Sequence, residues 1–169
     1  MVMREMCDSS VLELVEKHLV TDHIGLMVGY ARQPEGDQGQ ASFFEGGHGK
    51  RRVGRNRYGE HGGGTRKIGE RTNSFRKLWR HLEALFRESV DPNRAIRRVN
   101  ITFGNLMDED YATLDLFADE QADMQERALA EAQLAIKGKF GKNAVFKATS
   151  LKEKATGRER NSQVGGHNA

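Results

Sequence analysis

The chain has little cysteine, proline or tryptophan: one Cys, two Pro and one Trp among 169 residues. The lone Cys7 cannot form an internal disulfide, which excludes a disulfide scaffold and fits a reducing compartment. The sequence contains no run of 18 apolar residues and no signal-peptide hydrophobic segment. We therefore expect a cytoplasmic protein and no membrane partner.

Charge of one sign is concentrated in separate blocks, although the formal net charge is only +3. Five basic residues fall between Lys50 and Arg57, and eight acidic residues with no base fall between 108 and 126. The tail from Lys137 is basic again. Basic blocks suit a phosphate backbone, but a solvated surface of mixed charge explains them equally well.

Apolar periodicity predicts the elements of the N-terminal half. Asp8-Ser9-Ser10 is a candidate N-cap, and the helical spacing after it predicts a helix from about 9 to 19. Alternation predicts a strand over 22–30, with Ile24 on one face and Gly25 on the other. Residues 33–64 contain ten Gly, which indicates a flexible loop or insertion. A short strand over 65–71 follows.

The second half holds the strongest helical pattern. Thr72-Asn73-Ser74 is a candidate cap, and Asp91-Pro92 is a stop signal. One apolar stripe lies between them, formed by Phe75, Leu78, Trp79, Leu82, Leu85 and Phe86. A strand over 95–103 follows, and Asp123-x-x-Glu126 predicts the start of an Ala-rich helix that ends near 136.

This order predicts an α+β fold: an antiparallel sheet with two helices on one face, which is a βαββαβ module without its leading strand. We divide the chain into a domain over 1–105 with the Gly-rich insertion 33–64, and an acidic linker over 106–122. A helix and an extended segment over 123–150 and a disordered basic tail over 151–169 complete it. A missing strand would leave a sheet edge exposed, so we expect marginal stability and a tendency to associate.

The predicted sheet has one open face that carries small polar and cationic side chains and no aromatic ones. Such a surface can pair phosphates and donate hydrogen bonds to a sugar–phosphate backbone, whereas base stacking is not expected. An ordinary solvent-facing sheet surface is the alternative. The last strand is expected to place Arg98, Asn100 and Thr102 on this face, and the strand over 65–71 is expected to lie beside it with Thr65, Lys67, Gly69 and Arg71.

Other sites have weak support. The six His show no metal-ligand spacing, and Cys7 has no evident base partner, so we expect neither a metal site nor a nucleophile. Gly62-Gly63-Gly64-Thr65 lacks the ending of a phosphate-binding loop. Asp108-Glu109-Asp110 falls outside the predicted strands, which favours a solvated linker over a metal site.

The acidic stretch also contains three apolar side chains with no predicted fold to bury them: Leu114, Leu116 and Phe117. A short extended segment of this kind can place its side chains in an apolar groove on a partner. The same side chains can instead pack against the edge of this domain's own sheet. The residues alone leave both interpretations open.

Several segments, in order, resemble the C-terminal part of a Y-family, UmuC/DinB-like translesion DNA polymerase, closest to the UvrX-like repair group. They are Arg4-Glu5-Met6, His23-Ile24-Gly25-Leu26-Met27-Val28-Gly29-Tyr30, Gly63-Gly64-Thr65-Arg66, Thr72-Asn73, Ala95-Ile96-Arg97-Arg98-Val99 with Phe103-Gly104, Leu114-Asp115-Leu116-Phe117, Phe140-Gly141-Lys142-Asn143-Ala144-Val145, Glu159-Arg160-Asn161 and Val164-Gly165-Gly166-His167. Residues 33–61 look inserted relative to the family.

The resemblance implies that a little-finger module grips primer–template duplex by its backbone, and with it an association with the nucleoid. The residues that it implicates in DNA binding are Thr65, Arg66, Lys67, Arg97, Arg98, Asn100 and Thr102. It also implies that the segment Thr113, Leu114, Asp115, Leu116 and Phe117 docks on the sliding clamp, although Thr113 stands where the family usually has Gln.

The resemblance further implies that the catalytic palm lies outside this chain, with its Mg²⁺-binding carboxylates and the first little-finger strand. We therefore expect no cofactor and no polymerase activity in this chain alone, and a separately encoded catalytic part is a candidate partner. The alternatives are a clamp-binding adaptor without DNA binding and a non-functional gene remnant.

Overall fold

The computed structural model describes residues 1–31, 54–56, 59–112, 120–151, 155–161, 163–164 and 167–168. Its elements, in chain order, are helix α1 (Val2–Glu16), strands β1 (Leu19–Tyr30), β2 (Gly54–Asn56) and β3 (Gly59–Thr72), helix α2 (Phe75–Ser89), strands β4 (Ile96–Gly104) and β5 (Met107–Asp108), a 3-10 turn (Glu109–Tyr111), helix α3 (Glu120–Phe140), a second 3-10 turn (Ala148–Leu151), helix α4 (Gly157–Asn161), and strands β6 (Gln163–Val164) and β7 (His167–Asn168).

The sheet is antiparallel, in the order β2-β3-β1-β4, and β5 continues the pairing of β4 along β1. This confirms the α+β class with an antiparallel sheet. We placed the residues of β3 beside those of β4, but β1 separates the two strands. β1 is paired along both of its edges, and its alternating apolar side chains lie at the centre of the sheet.

The alternation predicted for β1 is confirmed. Ile24, Leu26, Val28 and Tyr30 are all buried, at 0–7 % exposure. Leu78, Leu82 and Leu85 of α2 are also buried, and Phe75, Trp79 and Phe86 pack around them. The stripe predicted for α2 therefore covers the apolar face of the sheet, and removal of this surface from water is the main stabilising term.

The start of α1 differs from the prediction. The helix begins at Val2, and the Asp8-Ser9-Ser10 segment lies inside it rather than at its cap. Cys7 is completely buried in the core, Met3 packs against that core, and Asp8 forms an ion pair with Lys147. Tertiary packing of the first two turns therefore outweighs a local capping preference.

The Gly-rich segment is ordered at its C-terminal end. β3 begins at Gly59 rather than 65, and it pairs with β1 from His61 onward. Gly63 has φ +113°, and a Cβ there would lie 2.1 Å from the Leu26 carbonyl oxygen. Glycine is therefore required for strand pairing at this position. The rest of the predicted insertion, 33–53 and 57–58, lies outside the described residues.

Helix α3 is longer than predicted, and its acidic residues bind α2. The Glu126 carboxylate accepts from the Ser74 hydroxyl at 2.8 Å and from the Arg76 backbone N–H at 3.1 Å. Asp123 pairs with the side chains of Arg76 and Lys77 at 3.0 and 2.8 Å. These two carboxylates therefore stabilise the positive N-terminus of α2 rather than capping α3.

The tail, predicted to be disordered, includes the short helix α4 and the β6–β7 pair among its described residues. The Thr156 backbone N–H donates to the Glu5 carboxylate at 3.1 Å, which ties the tail to α1. Within the described ranges, no helix is both long and apolar enough to cross a membrane.

Candidate nucleic-acid interface

The open face of the sheet is built from the residues of β1 that alternate with the buried ones. Registers on both sides of β1 define four cross-strand rows. From one end to the other they are Lys67–His23–Gly104, Thr65–Gly25–Thr102, Gly63–Met27–Asn100 and His61–Gly29–Arg98. Three strands thus bring together residues that lie up to 81 positions apart in sequence, from His23 to Gly104.

The centre of this face is flat because glycine occupies it. A Cβ on Gly25 would lie 2.3 Å from the Thr102 hydroxyl oxygen, and one on Gly29 would lie 3.4 Å from the Arg98 Cβ. The flanking threonines therefore lean across the Gly25 position. Gly25 itself is buried, so a partner meets the exposed side chains of Thr65 and Thr102 in this row, and these lie low over the sheet.

Cations stand at the two ends of the face, and small polar groups lie between them. Lys67 and Arg98 are exposed, as are Thr65, Asn100 and Thr102. The six-residue step from His23 to Gly29 corresponds to about 20 Å of strand, which is roughly six nucleotides along one strand of B-DNA. The four rows contain no Asp and no Glu. Anionic ligands therefore meet no like charge within them.

Two of the implicated basic residues lie elsewhere. Arg66 alternates with Lys67, pairs with Ile24 across the ladder and forms an ion pair with Glu88 of α2, so it lies on the helix-covered side. Arg97 has no Cα partner on β1, because the register shifts there between Gly29 and Tyr30. It is exposed at this bulge. The sequence resemblance alone could not separate these two from the residues of the open face.

Arg71 is held at the end of the face by a polar cluster. Its guanidinium lies 3.4 Å from the Asp22 carboxylate and donates to the Asn105 carbonyl oxygen at 2.9 Å. The Asn105 side chain donates to Asp22 at 2.7 Å and, with Arg71, lowers the pKa of that carboxyl. This bonding fixes the chain between β4 and β5 and gives Arg71 a structural role at the end of the face. Gly69 is exposed nearby on β3.

Glu109 of the acidic stretch forms an ion pair with Arg127 of α3 that the sequence did not indicate. The Arg127 guanidinium of α3 donates twice to Glu109, at 2.7 Å each, and Asn73 donates to the same carboxylate at 3.3 Å. His18 lies 2.9 Å from it. These partners, Arg127 first, lower the pKa of Glu109 to about 2. Glu109 is therefore part of the folded domain rather than of a solvated linker.

The remaining candidates from the sequence are Cys7, a metal site and the segment Thr113–Phe117. Burial raises the pKa of the Cys7 thiol to about 12, which keeps the sulfur protonated and unreactive. Among the residues with described positions, no group of three or more His, Cys, Asp and Glu is arranged to hold a metal. The segment Thr113–Phe117 lies outside the described residues.

The fold defines a class: an α+β domain whose antiparallel sheet is covered by helices on one face and open on the other. A family model described as the impB/mucB/samB family C-terminal domain matches residues 1–116. The match covers more than half of the chain, so the protein belongs to this family, the C-terminal part of Y-family DNA polymerases. No curated protein and no solved structure matches the chain.

Proposed function

We propose that this chain acts in DNA repair and damage tolerance as the DNA-gripping little finger of a translesion polymerase of the UvrX-like group. It binds the backbone of primer–template duplex without reading sequence. The observation that carries this proposal is the set of four cross-strand rows: a flat glycine centre, hydroxyl and amide donors, cations at both ends and no carboxylate.

The chemistry of these rows favours phosphate over base recognition. Lys67 and Arg98 supply charge-assisted bonds to phosphate, while Thr65, Thr102 and Asn100 supply neutral donors between them. The rows hold no Phe, Tyr or Trp, so unstacked bases have no aromatic surface to lie on. Duplex backbone is therefore the ligand that fits best.

The test is duplex binding measured by fluorescence anisotropy at several salt concentrations. We expect Lys67→Glu and Arg98→Glu each to weaken binding and to lower the log–log salt slope by about one, since each removes one phosphate contact. Arg80→Glu is the matched control, because Arg80 is exposed on α2, on the other side of the sheet. Absence of duplex binding at low salt, or equal loss in all three variants, contradicts the proposal.

We propose in addition that Thr113–Phe117 docks on the sliding clamp. The described residues on its two sides support this role: Ala112 closes the 3-10 turn before the segment, α3 begins after it at Glu120, and the Glu109–Arg127 pair joins these two elements. A segment that is held at both ends has less conformational entropy to lose when Leu116 and Phe117 enter an apolar groove.

The clamp test uses purified bacterial sliding clamp in a pull-down. Replacement of both Leu116 and Phe117 by Ala should abolish capture, because these side chains provide the apolar contact. Thr113→Gln should strengthen capture, since Gln is the residue usual in the family. Capture that survives the double replacement sinks the docking proposal while leaving the DNA proposal intact. Clamp capture without DNA binding would instead identify an adaptor.

A further inference from the structure

The four rows of the open face contain two histidines, and each shares its row with a permanent cation. His23 lies beside Lys67 at one end, and His61 lies across Gly29 from Arg98 at the other. The two central rows contain no ionisable side chain. Any change in the charge of the four rows between about pH 5.5 and about pH 8 therefore comes from these two imidazoles.

The ring of His23 is not used by the domain. It is half-buried, and it forms no hydrogen bond or ion pair with another residue that the structure describes. Thr21 bonds the backbone of His23 and not its imidazole. The ring lies over β4 instead, where its Cδ2 is 3.7 Å from the place that a Cβ on Gly104 would occupy. Contact with the β4 backbone thus positions the ring and leaves its nitrogens to a ligand.

Lys67 is the charged group that a ligand would share with His23. The two residues are direct partners between β3 and β1, a relation that places their Cβ atoms about 5 Å apart. The partner of His23 on β4 is the uncharged Gly104. The other charged side chains at this end of the sheet are Asp22 of β1, Arg71 of β3 and Asp108 of β5, and each has a bond within the domain: Asp22 with Arg71, and Asp108 with the Asp110 backbone N–H.

We propose that His23 is a phosphate-binding residue of the open face and that its imidazole takes up a proton when duplex DNA binds. This inference rests on the proposed DNA-binding function. One phosphodiester oxygen beside the row accepts a hydrogen bond from the Lys67 ammonium and one from the His23 imidazolium, and both bonds are charge-assisted. The proton comes from solvent and binds the ring nitrogen that is bare in the neutral imidazole. The bound state gains one positive charge, so duplex binding strengthens as the pH falls.

His61 differs from His23 although it lies on the same face. Its Nδ1 is buried and has no hydrogen-bond partner among the described residues. An imidazolium at this position would therefore hold a buried N–H donor without an acceptor, which is costly. We assign the proton uptake to His23 alone, and His61 provides a comparison of the same residue type at the other end of the face.

The test measures duplex binding by the full chain, by fluorescence anisotropy at about pH 8 and about pH 5.5. Wild type should bind about tenfold more tightly at the lower pH, which is the factor that one phosphate contact contributes in about 0.1 M salt. His23→Gln keeps a polar side chain that does not ionise, and it should lose this tenfold ratio. His61→Gln should keep the ratio.

A permanent charge at the same position gives the complementary result. His23→Lys should bind more tightly than wild type at about pH 8, and its affinity should not change on acidification, because the ammonium stays charged across this range. Isothermal titration calorimetry in two buffers of different ionisation enthalpy measures the proton directly. It should show net proton uptake on binding by wild type and none by His23→Gln.

The outcomes separate this assignment from the DNA proposal. Duplex binding that depends on Lys67 and Arg98 but not on pH would overturn the role of His23 alone. A tightening that persists in His23→Gln, or that is lost equally in His61→Gln, would also overturn it, because the charge would then act from another position. Absence of duplex binding at both pH values would overturn the two proposals together.

Discussion

The two faces of the sheet differ in burial and in composition, although alternating residues of the same strands form both. On β1, Leu26 is 4 % exposed beneath α2, whereas its neighbour Met27 lies partly exposed on the open face between Gly63 and Asn100. The same alternation therefore gives one face that packs against helices and one that stays available to a ligand. The covered face stabilises the domain, which leaves the open face free to keep glycine, threonine and cations.

The largest expected effect comes from adjacent substitutions on the two faces. Leu26→Ala should lower the free energy of unfolding by about 2–5 kcal/mol, because it leaves a cavity beneath α2. Met27→Ala should cost less than about 1 kcal/mol, since solvent already reaches that side chain. Urea denaturation monitored by circular dichroism measures both. Similar losses at the two positions would mean that the open face is packed against something.

A second comparison uses two glycines of β3. Gly63→Ala should cost about 1–3 kcal/mol, because it forces a Cβ against the Leu26 carbonyl at a positive φ. Gly69→Ala meets no atom within 4 Å and should change stability by less than about 1 kcal/mol, with stabilisation expected. Thermal melts of the two variants compare them directly. A neutral Gly63→Ala would show that β3 does not approach β1 as closely as the structure indicates.

The smallest expected effect concerns the ion pair between Glu109 and Arg127. The pKa of Glu109 is lowered from 4.5 to about 2, mainly by Arg127. The ionised carboxylate therefore stabilises the fold above pH 4.5, and this contribution should be lost as the pH falls from 4.5 toward 2.

Glu109→Gln removes this titration. The difference in urea midpoint between wild type and Glu109→Gln should be constant above pH 5 and should shrink as the solution is acidified. Asp123→Asn serves as a comparison, because Lys77 and Arg76 lower the pKa of that carboxyl at a different contact of α3. A wild-type to Glu109→Gln difference that does not change with pH would argue against the Arg127 pair in solution.

Local patterns predicted most of the elements. The stripe of α2, its stop before Pro92 and the alternation in β1 and β4 were all recognisable, because each depends on side-chain spacing within one segment. The start of α1 and the first residues of β3 were not recognisable in the sequence. Cys7 is held by core packing, and Gly63 by the backbone of β1, so both depend on contacts from other segments.

The sequence predicted which types of residue form the candidate interface, but not every residue that belongs to it. Alternation places Lys67, Arg98, Asn100 and Thr102 on one face, and the structure confirms their shared orientation. The position of β1 between β3 and β4 adds His23, Gly25, Met27 and Gly29 to the same surface. Sequence alone does not specify strand order, because alternation shows which side chains of one strand share a face and not which strands are neighbours.

The sequence by itself determined which side chains of each strand and helix share a face, since helix and strand periods are local properties of the chain. Only the tertiary structure decided which faces meet. It placed Arg66 under α2, used Glu126 to bind the start of α2, and left the β4 edge without a described neighbour. These outcomes depend on long-range pairing, in which the burial of one segment is fixed by the position of another.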